Sequence, residues 1–209
     1  MDEQIALPSS APVMPLSGAL LFPRALLPIH IFEPRYRQML DYALKRDRIF
    51  SIALLKPHRS DWRTTDDFFD IAGVGLIRAC VGQSDGTSNL ILQGLQRVRF
   101  ATFDQDQPFP IARIEPIDSE YEVSPEADAL GAKLLELYHR FAEGGRKFPE
   151  TVDRYLSDLN DIEMLADLMA ATFINDPLRK QQALEEVSVT QRLRLVIQYL
   201  HEESGSAAA

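Results

Sequence analysis

Cysteine is all but absent: Cys80 is the single thiol in 209 residues. One thiol cannot close an internal disulfide, and it cannot build a Cys-rich zinc site. A reducing compartment is therefore expected. Lysine is scarce as well. None of Lys45, Lys56, Lys133, Lys147 and Lys180 follows a glycine. The Gly-x-x-x-x-Gly-Lys loop that cradles phosphates is missing, which excludes a standard P-loop ATPase. The lone Gly-x-Gly, Gly73-Val74-Gly75, lacks a third glycine and lies within a strand-like run, so it is not a dinucleotide fingerprint. His30, His58, His139 and His201 include no i,i+4 pair. No metal centre, no cofactor and no catalytic residue are expected, and Cys80 reads as a buried, inert thiol. The acidic pairs Asp66-Asp67, Glu185-Glu186 and Glu202-Glu203 read as solvated faces.

Long hydrophobic runs are also lacking. Ile5 to Phe22 is uncharged, but Pro8, Pro12 and Pro15 and three serines break it. That is no spanning helix, and the acidic start Met1-Asp2-Glu3 is wrong for a signal peptide. A soluble, cytoplasmic protein is expected, without membrane contact. The charge is lopsided. Up to Ile117 there are 13 acidic and 13 basic residues, whereas from Asp118 onward there are 18 and 9. The net charge of −9 thus sits in the C-terminal part. Such a surface repels phosphate and anionic lipid, so no nucleic-acid partner is expected.

What is present falls into two grains. Residues 1–12 read as a flexible leader without periodicity. Residues 13–117 are β-rich, with short apolar runs punctuated by Pro23 and Pro28. One helix interrupts them: Pro34 suits a first helical position, and Tyr36, Met39, Leu40 and Ala43 follow at helical spacing. Ile71 to Val81 and Asn89 to Phe100 form the arms of a hairpin around Asp85-Gly86. At its end Val98 and Phe100 point one way and Arg97 and Arg99 the other. His58 to Asp67 is a polar loop holding the only tryptophan, Trp62. Residues 118–203 are helical. Ser124-Pro125 starts one helix, which Gly144-Gly145 ends. A second spans Ile162 to Phe173, a third starts at Asp176-Pro177 and runs to about Val187, and Ser188-Val189-Thr190-Gln191 is a capping box opening a fourth. Residues 204–209 read as a frayed tail.

Three stretches together resemble the N-terminal substrate-binding domain of ATP-dependent Lon proteases. The first runs from Met14-Pro15-Leu16-Ser17-Gly18-Ala19 through Leu27-Pro28-Ile29-His30-Ile31-Phe32-Glu33-Pro34-Arg35-Tyr36. The second joins Gly73-Val74-Gly75-Leu76-Ile77 to Leu92-Gln93-Gly94-Leu95-Gln96-Arg97-Val98-Arg99-Phe100. The third joins Leu165-Ala166-Asp167 to Lys180-Gln181-Gln182-Ala183-Leu184-Glu185-Glu186 and Arg192-Leu193. The form Phe32-Glu33-Pro34-Arg35-Tyr36 is similar to the short, stand-alone bacterial members. The resemblance implies an α+β fold. A bent, PUA-like β pseudo-barrel with one helix would precede a C-terminal helical bundle. It implies substrate recognition but not peptidase activity, because no ATPase loop and no Ser-Lys peptidase region follow.

The expected partner is an unfolded or tagged polypeptide, or another protein, with a weak homodimer as a further option. Binding exposed apolar segments needs apolar, adaptable side chains. The candidate contacts are Phe22, Phe32 and Tyr36 in the first motif and Trp62, Phe68 and Phe69 around the polar loop. Arg24 and Arg35 could take a peptide carboxylate or backbone, against an internal ion pair with Glu33. Ile29 and Ile31 read as core. Trp62 is either an exposed contact or a lid over the sheet. Two alternatives stay open: nucleic-acid binding through Arg78, Arg97 and Arg99, and a small ligand in a cleft between the two parts.

Overall fold

The computed structural model describes residues 5–104, 106–143 and 161–206. These fold into a mixed α+β architecture with one six-stranded sheet and, among the described residues, five α-helices. The chain divides into two compact units. The first comprises Met1–Leu21 and Leu26–Ile117, and the second Phe22–Ala25 and Asp118–Ala209.

In the first unit the strands are β1 (Ser10–Leu16), β2 (Leu26–Ile31), β3 (Ile49–Leu54), β4 (Ile71–Gly82), β5 (Ser88–Asp104) and β6 (Ile111–Ile117). Their order is β2-β5-β4-β3-β1-β6, and β6 also pairs with β5. The long β5 changes partner along one edge: residues 88–93 pair with β2 and residues 97–104 with β6. Pairing therefore returns to β5 through β4, β3, β1 and β6, while β2 stands outside that circuit. The arrangement is not a clean barrel. β1 and β3 run parallel, joined through β2 and the helix α1 (Pro34–Leu44).

Alternation builds two cores on opposite sides of the sheet. Phe50 and Ile52 of β3 enter a cluster with Met14, Ile29, Ile31, Leu90 and Leu92, covered by Tyr36, Met39, Leu40 and Ala43 of α1. Ile49 and Ala53 enter another with Val13, Val74, Val98 and Phe100. On β5 even-numbered residues serve both clusters. A register shift makes this possible: Val74 faces Gln96, Gly75 faces Gly94, and Leu95 is the extra residue. One extra residue flips the side that every later side chain meets.

Several expectations change here. β1 begins at Ser10, inside the expected leader, because Ser10, Ala11 and Pro12 pair with β6. Arg97 is buried at 2% exposure while Arg99 is exposed. It lies opposite Gly73 of β4 and Ile117 of β6, and its burial keeps it from presenting to phosphate as expected. Cys80 is half-buried against the first core. The turn Gly82-Gln83-Ser84-Asp85-Gly86 carries the letters Gly-x-Ser-x-Gly. A serine-hydrolase elbow needs a strand-to-helix turn, and this one joins two antiparallel strands.

In the second unit the helices are α2 (Pro125–Glu143), α3 (Ile162–Phe173), α4 (Pro177–Glu185) and α5 (Val189–Ser206). All four starts are capped by side chains. Ser124 Oγ accepts from the Ala127 N–H, Asp161 Oδ1 from Met164 and Asp176 Oδ1 from Leu178. Ser188 Oγ accepts from the Gln191 N–H, and the Ser188 N–H itself donates to Glu186. α2 packs on α3 and α5, and α3 on α4 and α5. The expected stop at Gly144-Gly145 lies outside the described residues. The third predicted helix ends at Glu185, and the last helix continues through Gly205 to Ser206, further than expected.

Candidate functional site

β2 is the one strand of the sheet with a single pairing partner, and its apolar residues do not all turn inward. Leu26 is 60% exposed, and Phe32, just past the strand, 59%. Beside β2 lies an open cleft of about 300 Å³, walled by Leu16, Ala19, Leu27, Ile29, Phe32 and Tyr36. Its polar lining is confined to His30 and Glu33. On the outer face of the same strand, Pro28 and His30 border a shallower depression of about 450 Å³ with Ile91, Ala79 and Val81. The register explains this grouping: Pro28 pairs with Ile91 and His30 with Asn89, and on the far side Ala79 and Val81 pair with those same residues. Val81 is 63% exposed. The His30 ring stacks on Phe32 at 5.9 Å.

Tyr36, at the back of the cleft, connects it to the polar loop. Its hydroxyl donates to the Pro15 carbonyl at 3.3 Å and accepts from Trp62 Nε1 at 3.2 Å. Arg35 holds the same corner. Its guanidinium bonds Glu33 at 2.8 Å and Asp61 at 2.8 Å, and lies 4.6 Å over the Tyr36 ring and 5.6 Å from the Trp62 ring. The ends of the loop are zipped by Lys56 N–H to the Asp67 carbonyl and Phe69 N–H to the Leu54 carbonyl. Asp67, expected on a solvated face, is buried instead. Its carboxylate accepts from the Arg63 and Thr64 N–H groups at 2.8 and 2.9 Å and pairs with Arg59. Four residues span the distance from Arg63 to Asp67, so an acidic side chain there can cap its own loop.

Burial pushes the Tyr36 hydroxyl up to about 12, so it stays protonated and keeps both hydrogen bonds at any physiological pH. The Arg35 hydrogen bond holds the Asp61 carboxyl below its ordinary value, and the Thr64 and Arg63 N–H groups do the same for Asp67. Depressed carboxyls give their stabilisation above the unfolded value, about pH 3.9, and lose it as pH falls through the folded one. The loop is thus expected to open in acid while the sheet persists. Trp62 emission should shift to the red below about pH 4, before far-UV circular dichroism changes. Coincident transitions would show that the loop is not held separately.

The structure brings Arg35, Tyr36 and Trp62 together and sets Phe32 at the cleft mouth. It separates the other candidates. Phe68 is core, edge-on to Phe100 and Phe103 at 6.2 and 5.6 Å. Phe22 is fully buried, and Tyr36 exposes only 2%. None of the three offers an open face, because each is packed on all sides. Phe69 is half-buried and off the cleft. Arg24 is exposed, with φ of 65°, in the segment belonging to the second unit. Arg35 forms the internal pair with Glu33. Trp62 is half-buried against the second core, nearer a lid than a free contact. Leu16, Ala19, Leu27 and His30 were missing from the expected set. Pro28 was the available signal, since proline within a strand marks an edge.

Among the described residues no cluster of three His, Cys, Asp or Glu could hold a metal ion, and no helix is long and apolar enough to cross a membrane. A profile of the ATP-dependent protease La (LON) substrate-binding domain matches residues 10–202. The chain belongs to the Lon substrate-binding domain family. It is 28% identical over 197 residues to the Lon protease of Dictyoglomus thermophilum, covering 94% of this chain and 25% of that protein. Lon protease 2 of Herpetosiphon aurantiacus is also 28% identical, over 92% of this chain and 24% of its own. The chain thus spans about a quarter of these Lon proteases. The N-terminal domain of a Mycobacterium avium complex Lon protease superposes with a TM-score of 0.70 at 22% identity, covering 92% of this chain and 98% of that one. A Lon N-terminal domain protein from Xanthomonas campestris gives 0.67 at 18%, covering 92% and 99%. These Lon likenesses carry the fold; the residues of the cleft carry the functional argument.

Proposed function

We propose that this chain binds exposed apolar segments of unfolded polypeptide and does no chemistry on them. The observation that carries this reading is the open, apolar cleft beside β2 with Phe32 at its mouth. A soluble protein normally buries so large an aromatic, and a contiguous exposed apolar patch marks an interaction surface. The membership in a substrate-binding family supports it. So do the missing phosphate loop and the scarcity of charge in the cleft. The expected architecture, a bent PUA-like pseudo-barrel followed by a helical bundle, is kept as the reading that fits these elements. Nucleic acid is a poor fit, since Arg97 is buried and cannot join Arg99 on a phosphate.

The test is reduced, unfolded casein, with and without ATP. Trp62 reports the cleft because its Nε1 donates to the Tyr36 hydroxyl in the wall. Saturable, ATP-independent binding without cleavage is expected. Phe32→Ser should weaken it about tenfold, near 1.4 kcal/mol, within reach of what burying a phenylalanine contributes. Cleavage by a pure sample, or an unchanged affinity in the Phe32 variant, would sink the reading.

A further inference from the structure

The open edge of β2 lies between two apolar surfaces, and neither accounts for the other. On one side are Leu16, Leu27 and Phe32 of the cleft. On the other are Leu26, 60% exposed, and Pro28 of the outer face. Among the described residues the strand pairs only with β5. An unpaired edge is a template for another strand, and proteins normally blunt it with charge or cover it. Here the six residues of β2 are Leu26-Leu27-Pro28-Ile29-His30-Ile31, with no Asp, Glu, Lys or Arg among them. Proline lacks an N–H, so it fits the outward-facing set of an edge strand. With a period of two, that set is Leu26, Pro28 and His30. It leaves the N–H groups of Leu26 and His30 and three carbonyls for a partner.

The geometry points to strand addition: an extended polypeptide segment, apolar at successive positions, pairs with the free edge of β2. Successive side chains of an added strand point to opposite faces. Alternate residues would therefore enter the cleft, and those between them would cover Leu26 and Pro28 on the outer face. A helix would fill one surface and leave the other open. A core strand of an unfolded protein is apolar on both faces, so it satisfies both. The backbone supplies sequence-independent affinity, while the two clefts select for apolar side chains. The inference rests on the proposed function and specifies how the same site holds its client.

The test uses the full chain, casein, and a labelled short peptide with a Val-Ile core and Ser-Lys flanks. A twin peptide carries N-methyl groups on the core residues, which keeps the side chains and removes the donors. The parent peptide is expected to bind and to compete with casein, and the twin to bind at least tenfold more weakly. Amide exchange at Leu26 and His30 should slow on binding. Phe32→Ser and Leu26→Asp, one for each face, should each weaken the parent about tenfold. Both residues are exposed, so folding should survive, and circular dichroism checks it. Val123→Ser removes another exposed apolar residue, 80% open, and should change nothing. If the twin binds as well as the parent, or Leu26→Asp is silent while casein still binds, strand addition is wrong and the function stands. If the unmodified chain binds neither casein nor peptide, the function falls and strand addition with it.

Discussion

Alanine in place of Asp167 is expected to lower the unfolding free energy by about 3–5 kcal/mol, the range for breaking a buried ion pair. Its partner Arg192 is fully buried, and the Asp167 side chain exposes 2%. Arg192 Nη1 lies 3.2 Å from Asp167 and 3.3 Å from Glu163. Nε donates to the Glu186 carbonyl, and Nη2 to Ser119 Oγ and the Val187 carbonyl. One side chain of α5 thereby fixes α3, the α4–α5 connection and the start of the helical unit. Removing Asp167 leaves a guanidinium in a site closed to water, beside the half-exposed Glu163. The double variant Asp167→Leu with Arg192→Met should recover part of the loss, since apolar replacements of a whole buried pair are often tolerated. Recovery stays incomplete because the Glu186 carbonyl loses the Arg192 Nε donor. Urea unfolding of the parent, Asp167→Leu, Arg192→Met and the double variant measures the coupling. A single variant within about 1 kcal/mol of the parent would show that water reaches the site.

Gly73→Ala should be nearly as damaging. A Cβ at that position would lie 1.8 Å from the Leu21 carbonyl oxygen and 2.7 Å from its carbon. Those are backbone atoms, which cannot swing aside. Overpacking commonly costs 1–3 kcal/mol, and here about 3 kcal/mol or more is expected. Gly75 is crowded by the same residue, with Leu21 Cδ2 at 2.6 Å and the Gln93 carbonyl at 2.8 Å. Gly86→Ala makes the contrast. It sits at φ of 81° in the hairpin turn, where the penalty is about 1–2 kcal/mol. Its nearest atoms belong to the flexible end of Arg37. Thermal midpoints of the two variants should differ clearly, and equal midpoints would refute the close approach. The Gly-x-Gly of β4 thus has a steric reason, not a nucleotide. It lets the chain after Ala19 lie against the sheet, and Ala19 is part of the cleft wall.

Local chemistry was legible wherever a residue acts on its own neighbours. Pro34 opens α1, Ser124 and Asp176 cap their helices, and Asp85-Gly86 turns the hairpin, because each depends on residues within one turn. The family was legible for a similar reason: its motifs are short and lie in order. The site was much less so. Trp62 and Tyr36 are 26 residues apart, and no periodicity connects a loop to a helix face. Arg97 looked like a surface residue because alternation sets it on the same side as Arg99, which is exposed, and alternation does not reveal what covers a side chain there. Asp67 looked solvated because its partners are N–H groups, which no side-chain pattern reveals. The cleft draws on the ends of β1 and β2 and on α1, so its walls were visible only as pieces. Phe32 was named among them, but Phe22 and Phe68 had the same chemical type and went to the interior.

The division of the chain governs how it can be cut. Phe22–Ala25 is inserted between β1 and β2 yet belongs with the helices, and Phe22 is in neither core of the sheet. A fragment ending at Ile117 would carry this segment without the rest of its own unit and would expose a phenylalanine that is now fully covered. Such a fragment would be adhesive for a reason unrelated to β2. Deletion experiments meant to locate client binding therefore need the second unit in place, or Phe22 replaced by a polar residue, before a gain in stickiness can be credited to the cleft.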